Sequence, residues 1–112
     1  MNAYHVGFLY ELRAAAYLRK AGMKILARRF RARDGEIDII AREGDAVVFI
    51  EVKARPASAL GSGVLAVSAD KRRRLRHAAA AYMQRFGRMD VSCRFDILEF
   101  TRAGIRHIKN AF

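Results

Sequence analysis

At 112 residues, with 53% hydrophobic positions, one proline and no low-complexity tract, the chain reads as a single globular domain (residues 1–112) around one core. Lysine and arginine number 22 against 11 aspartates and glutamates, and the formal net charge of +11 calls for a polyanionic partner, nucleic acid before membrane. No stretch stays apolar for the ~18 residues of a spanning helix, Cys93 has no second cysteine to pair with, zinc-ligand spacing is absent, and Glu11 and Arg13 interrupt the N-terminal apolar run against a secretory signal, so the expected location is cytoplasmic.

Over residues 6–21 apolar side chains recur at three- and four-residue steps (Leu9, Leu12, Ala16 and Phe8, Leu12, Ala15), predicting a helix closed by Gly22. Glu11 is the odd residue on it. Its turn neighbours are Gly7, Ala14, Ala15 and Leu18, so it projects beside an apolar stripe. Spacing alone makes it an exposed acid paired with a nearby arginine. Ile25, Ala27 and Phe30 then suggest a short strand, with Arg28, Arg29, Arg31 and Arg33 crowding its edge. Edge-strand charges guard against aggregation. Their number and their place just ahead of a group of acids favour a phosphate-contacting rim instead.

Residues 35–55 (GEIDIIAREGDAVVFIEVKAR) read as a β-hairpin, two β-branched runs broken by Gly44-Asp45. With Gly44 and Asp45 as the loop, Glu43 pairs with Ala46, Asp38 falls opposite Glu51, and Glu36 falls opposite Lys53. Strict alternation then brings Glu36, Asp38, Glu51 and Lys53 out on one face, which they share with Ile40, Val47 and Phe49. Ile37, Ile39, Ala41, Val48, Ile50 and Val52 fill the other face. A sheet apolar on both faces is central and covered on both sides. Three acids and a lysine at one end of such a sheet need a compensating charge, and a hard divalent cation, Mg²⁺ or Mn²⁺, supplies it. The competing reading is a Glu36–Lys53 ion pair with Asp38 and Glu51 hydrogen-bonded at a frayed sheet edge.

Pro56 ends that strand, and ASALGSG at residues 57–63 is a small-residue loop to which no function is given. Ser68 is placed to cap a second helix running through Asp70 to Phe86, with Gly87 closing it. Leu75, Ala78, Ala79, Tyr82, Met83 and Phe86 form its expected buried face. Lys71, Arg72, Arg73, Arg74 and Arg76 load its first turns, the end of a helix that disfavours cations. That placement favours a bound phosphate over a merely solvated face. Two strands, residues 92–100 and 105–108, follow about a turn at residues 101–104. Phe95, Ile97 and Glu99 alternate there with Arg94, Asp96, Leu98 and Phe100. Asp96 reads as structural, paired with Arg94 or a backbone amide. His5, His77 and His107 have no site spacing, and Phe112 is expected to anchor the tail.

Asp38 followed by Glu51-Val52-Lys53 resembles the PD-(D/E)xK signature, the metal site of restriction-endonuclease-like nucleases. The whole chain resembles the small uncharacterised bacterial YraN-like family. The matching residues are Glu11 with Ala15 and Leu18, Gly22, Gly35-Glu36-Ile37-Asp38, Phe49-Ile50-Glu51-Val52-Lys53, Arg55, Lys71, Arg94-Phe95-Asp96, His107-Ile108 and Asn110-Ala111-Phe112. Arg29 and Ala54 depart from the Asn and Thr usual in that family. The resemblance implies an α/β, restriction-endonuclease-like fold with a central mixed β-sheet flanked by α-helices. It also implies a divalent metal and a nucleic-acid substrate, and it turns Glu11 from a surface acid into a helix acid reaching the metal.

The expected activity is phosphodiester hydrolysis, of DNA first and branched or damaged DNA among the candidates. Asp38 and Glu51 would hold the metal, with Glu11 and then Glu36 as further acids binding it directly or through water, and Lys53 would orient the water or stabilise developing charge. Arg29, Arg31, Arg33, Arg55, Lys71, Arg72 and Arg74 would hold the backbone. Related folds that resolve junctions act as dimers, so a homodimer is compatible. The alternative function is a non-catalytic or partner-dependent nucleic-acid-binding module of the same fold.

Overall fold

The computed structural model describes residues 3–55, 67–87 and 90–112, and of residues 3–6 and 55 the backbone only. Pro56 and the 57–63 loop lie outside the described residues. In chain order the elements are α1 (Ala3–Lys20), β1 (Lys24–Ala32), β2 (Gly35–Glu43), β3 (Ala46–Arg55), α2 (Ala69–Phe86), β4 (Cys93–Thr101) and β5 (Gly104–Ile108). The strands form one five-stranded sheet in the order β1-β2-β3-β4-β5. Neighbours run antiparallel except β3 and β4, which are parallel. A parallel pair cannot be closed by a tight turn, and the segment carrying α2 provides the crossover. This is an α/β arrangement consistent with a restriction-endonuclease-like fold.

Each face of the sheet carries one helix. Ala14, Ala15 and Leu18 of α1 bury Ile39, Ala41, Val48, Ile50, Leu98 and Phe100 on one side. Leu75, Ala78, Ala79 and Tyr82 of α2 bury Ile37, Ile40, Val47, Phe49 and Ile97 on the other. The β2–β3 segment therefore alternates without a polar face, as a sheet covered on both sides requires. Ser68 caps α2 by accepting the Lys71 N–H on its hydroxyl (3.1 Å), and the Gly87 N–H closes the helix on the Met83 carbonyl (2.9 Å). A side chain at Gly35 would collide with the Arg74 carbonyl oxygen, so this glycine lets β2 begin hard against the first half of α2.

Three expectations need correction. The first strand is nine residues long rather than short, because a register shift between Ile25 and Ala27 hides its periodicity. Phe86 is 60% exposed rather than part of the α2 core stripe. The strict alternation assumed along β2 also fails, since Ile37 packs with Ile40 under α2 and not with Ile39 under α1.

Asp96 proves structural. Its fully buried carboxylate accepts from Arg94 Nε (2.9 Å) and the Asn110 N–H (3.0 Å), and stands 2.8 Å from His107 Nε2. Burial works against this charge, but the His107, Arg94 and Asn110 hydrogen bonds outweigh it and hold the carboxyl below its ordinary range. The chain end is anchored as expected, with Phe112 stacked on Phe95 at 5.0 Å between centroids.

Candidate active site

The hairpin register holds from Glu43↔Ala46 as far as Ile39↔Ile50 and stops there. Asp38 and Glu51 are not ladder partners. On the other side of β2, Arg28↔Ile39 and Phe30↔Ile37 are paired while Arg29 and Asp38 between them are skipped. Arg29 sits there in the left-handed region at φ 53°. Such a conformation is uncommon outside glycine, asparagine and aspartate, and it marks a local kink. The kink flips the facing of both strands, which is why Ile37 and Phe30 go to the α2 side. Where β2 and β3 part, the Asp38 carboxylate replaces the missing ladder bond by accepting the Val52 N–H on Oδ2 (2.8 Å).

A cleft of about 200 Å³ opens at this split. Glu11, Asp38, Arg29, Glu36, Tyr10 and Val52 are among its walls. Glu11, only 6% exposed, leans from α1 and accepts from Arg29 Nε at 2.8 Å. It is thus paired with an arginine, as spacing suggested, but buried rather than exposed, on the cleft wall it shares with Asp38. Glu36 stays at the rim, bonded to Arg31 (3.1 Å), and makes no pair with Lys53.

Glu51 is 5% exposed and faces α2. Its Oε1 receives Lys71 Nζ at 2.7 Å and Lys53 Nζ at 3.3 Å. The four residues expected on a single sheet face are therefore divided. Asp38 is wedged at the split, Glu51 and Lys53 lie toward α2, and Glu36 sits at the edge. They remain electrostatically one group. Burial, followed by the Glu51 charge, pushes the Asp38 carboxyl up to about 7, against the opposing pull of the Val52 N–H and the Lys71 charge. Burial opposes the Lys71 ammonium too, yet its hydrogen bond and charge interaction with Glu51 keep it above the ordinary lysine value. Among the described residues no three histidine, cysteine, aspartate or glutamate side chains converge as a ready-made metal cage.

A sequence profile of the Uncharacterised protein family UPF0102 matches residues 10–100, a span that includes Glu11, Arg29, Asp38, Glu51, Lys53 and Lys71. The chain belongs to that family. A UPF0102 protein of Geobacter sulfurreducens is 44% identical over 104 residues, covering 88% of this chain and 81% of the relative. One from Symbiobacterium thermophilum is 43% identical, covering 96% and 95%. One from Serratia proteamaculans is 40% identical, covering 100% and 97%. Like Glu11, Asp38, Glu51 and Lys53, the residue Lys71 lies in the UPF0102 span, and its ammonium stands closer to Glu51 than that of Lys53.

The other basic candidates are only partly assembled. Arg72 donates to the Val67 carbonyl (3.0 Å), Arg74 pairs with Asp70 (3.1 Å), and Arg73 reaches Asp34 and Asp70. The anions meeting the basic start of α2 are thus the protein's own carboxylates. Arg33 is exposed at the β1–β2 turn, and the Arg55 side chain lies outside the described set. One residue was missed. Glu99 is fully buried and stands in register with Lys53 across the parallel β3–β4 pair. Its alternation with Phe95 and Ile97 on β4 was the available sign. No helix of the described residues is long and apolar enough to cross a membrane.

Proposed function

We propose that this UPF0102 protein is a metal-dependent nuclease that hydrolyses phosphodiester bonds, with DNA as its substrate. One observation carries the reading: half-buried Asp38 and buried Glu51, from adjacent strands, lie close enough that their repulsion, added to burial, raises the Asp38 carboxyl to about 7, with Lys53 two residues beyond Glu51. Two oxygen-donor carboxylates, one buried and one half-buried at an open cleft, that repel one another are the donor chemistry that a hard cation relieves. Asp38 and Glu51 would hold Mg²⁺ or Mn²⁺, with Glu11 within reach once released from Arg29. A sparse ligand set suits Mg²⁺, which retains several waters. Bound there, the cation supplies a water of lowered pKa and polarises a phosphate oxygen.

The chain's own groups supply the rest. Lys53, 20% exposed beside Glu51, presents a positive charge where negative charge develops on the phosphate. Lys71, freed from Glu51 by the cation, can contact a phosphate at the same rim. Arg29, Arg31, Arg33, Arg55, Arg72 and Arg74 are proposed backbone contacts, and none of them reads bases.

A second reading has its own support. Lys53 and Lys71 on Glu51, and Arg29 on Glu11, already offset two of the three acids without metal. A nucleic-acid-binding module that needs a partner to become active would look like this. The deciding experiment incubates the protein with duplex, nicked, flap, four-way-junction and single-stranded DNA and with RNA, in Mn²⁺, Mg²⁺ or chelator. Metal-dependent cutting supports the nuclease. Salt-sensitive binding without cutting on every substrate favours the module.

A further inference from the structure

Outside the acidic cleft the molecule carries an aromatic surface with an arginine rim. Phe86, at the end of α2, is 60% exposed, the most open of the large hydrophobic side chains among the described residues. It is not loose. Its ring lies 5.2 Å from Tyr82 and 6.4 Å from Phe30, and Tyr82 in turn contacts Phe49 in the core. Arg85 lies over the Phe86 ring at 5.1 Å. Phe30, Tyr82 and Phe86 line a shallow hollow together with Arg28, Arg31 and Arg85. Among the described residues neither Arg28 nor Arg85 is ion-paired with a carboxylate.

From this geometry we propose that the Phe86 surface is a stacking platform for an unpaired base, so that the strand entering the cleft is single-stranded at this point. A ring packed against Tyr82 and Phe30, 60% exposed and carrying the Arg85 guanidinium over it, offers the aromatic and cationic surface that base stacking with phosphate neutralisation uses, an incoming base taking the place of Arg85 on the ring while the guanidinium turns to the phosphate. Position favours it as well. Arg29 lines both this hollow and the cleft of Glu11 and Asp38, so the two adjoin across the β1 kink. On its other side Phe86 borders a second hollow lined by Arg42 as well as Asp45 and Asp90, so the side carrying Arg28, Arg31 and Arg85 is the more uniformly cationic of the two. The proposal deepens the nuclease reading by giving its substrate a single-stranded segment, and it relies on that reading only for what happens to the strand afterwards.

The chain contains no tryptophan, so Phe86→Trp installs one fluorophore at the platform. In chelator, where no metal-dependent cutting can occur, this variant is titrated with a single-stranded oligonucleotide, an all-abasic strand of equal length and a duplex. Quenching by the single strand but not by the abasic strand or the duplex is expected. Phe86→Ala should weaken single-strand affinity by about tenfold while leaving duplex affinity unchanged. Equal quenching by the abasic strand, or single-strand binding with no quenching, overturns the platform. So does a shift in sedimentation between wild type and Phe86→Ala, which would make this surface a contact between two copies of the chain. Because no cleavage is read, the platform and the nuclease assignment can fail independently.

Discussion

Replacing Asp38 with asparagine should stabilise the metal-free protein, and only at higher pH. The Asp38 carboxyl rises from 3.8 to about 7 on folding, driven by burial and by Glu51. Such a rise costs the ionised fold at most about 4 kcal/mol. The sign follows from proton counting. Between those two values the folded protein holds a proton that the unfolded chain has released, so stability falls as pH rises through the window. Above about 7 the whole penalty stands, and below about 4 it is absent. Asparagine carries no charge and can still accept the Val52 N–H. Urea denaturation in chelator should therefore show wild type and Asp38→Asn alike at about pH 4, and the variant more stable by up to about 4 kcal/mol at about pH 8. Saturating Mn²⁺ should narrow or reverse that order, because about 100-fold excess over Kd adds about 2.7 kcal/mol to a protein that binds it and nothing to one that does not. A variant no more stable than wild type at high pH in chelator would refute the coupled-carboxylate argument.

Lys71→Met removes the cation nearest Glu51. It should lower the melting temperature in chelator, and added Mn²⁺ should raise it by more than it raises wild type; a smaller metal response would show that Lys71 does not stand in for the cation. Asp96→Ala strips a buried carboxylate from Arg94 and His107, and should cost about 3–5 kcal/mol by urea denaturation near neutral pH. Because the Asp96 carboxyl is held below its ordinary value, its contribution should persist above the unfolded carboxylate range and fade only as pH falls through the lower, folded value. Ser68→Ala removes the cap of α2 and should cost about 1 kcal/mol in the same assay, without altering metal response.

Much of the architecture was legible because it rests on local chemistry. Gly44, at φ 59°, makes the turn, and counting outward from it gives the correct pairs to Ile39↔Ile50. Ser68 and Gly87 bound the second helix for equally local reasons. The register failed at Asp38 because that step depends on Arg29, whose left-handed backbone no alternation pattern reveals. The Asn that the YraN-like resemblance expects there suits such a backbone better than arginine does. Arginine at this position adds the ion pair to Glu11 instead. The acidic group was legible by composition, but its division between the two sheet faces was not. The basic first turns of α2 were read as favouring a bound phosphate, and in the structure carboxylates of the protein itself meet them. Asp70 lies one turn from Arg73 and Arg74 in the same helix and was legible from spacing, whereas the approach of Asp34 and Glu51 depends on tertiary packing, with Gly35 set against Arg74. Phe86 was misplaced because helical periodicity does not say where the sheet beneath a helix ends.

The central claim is that Glu51 and its neighbours form a hydrolytic metal site, and Glu51→Gln tests it most directly. This change is nearly isosteric and removes one charge from the group. Single-turnover cleavage of the best substrate in Mn²⁺ should fall by at least about 100-fold, with DNA affinity in chelator unchanged or slightly stronger. A Glu51→Gln protein that binds DNA normally and still cuts at the wild-type rate would contradict the assignment.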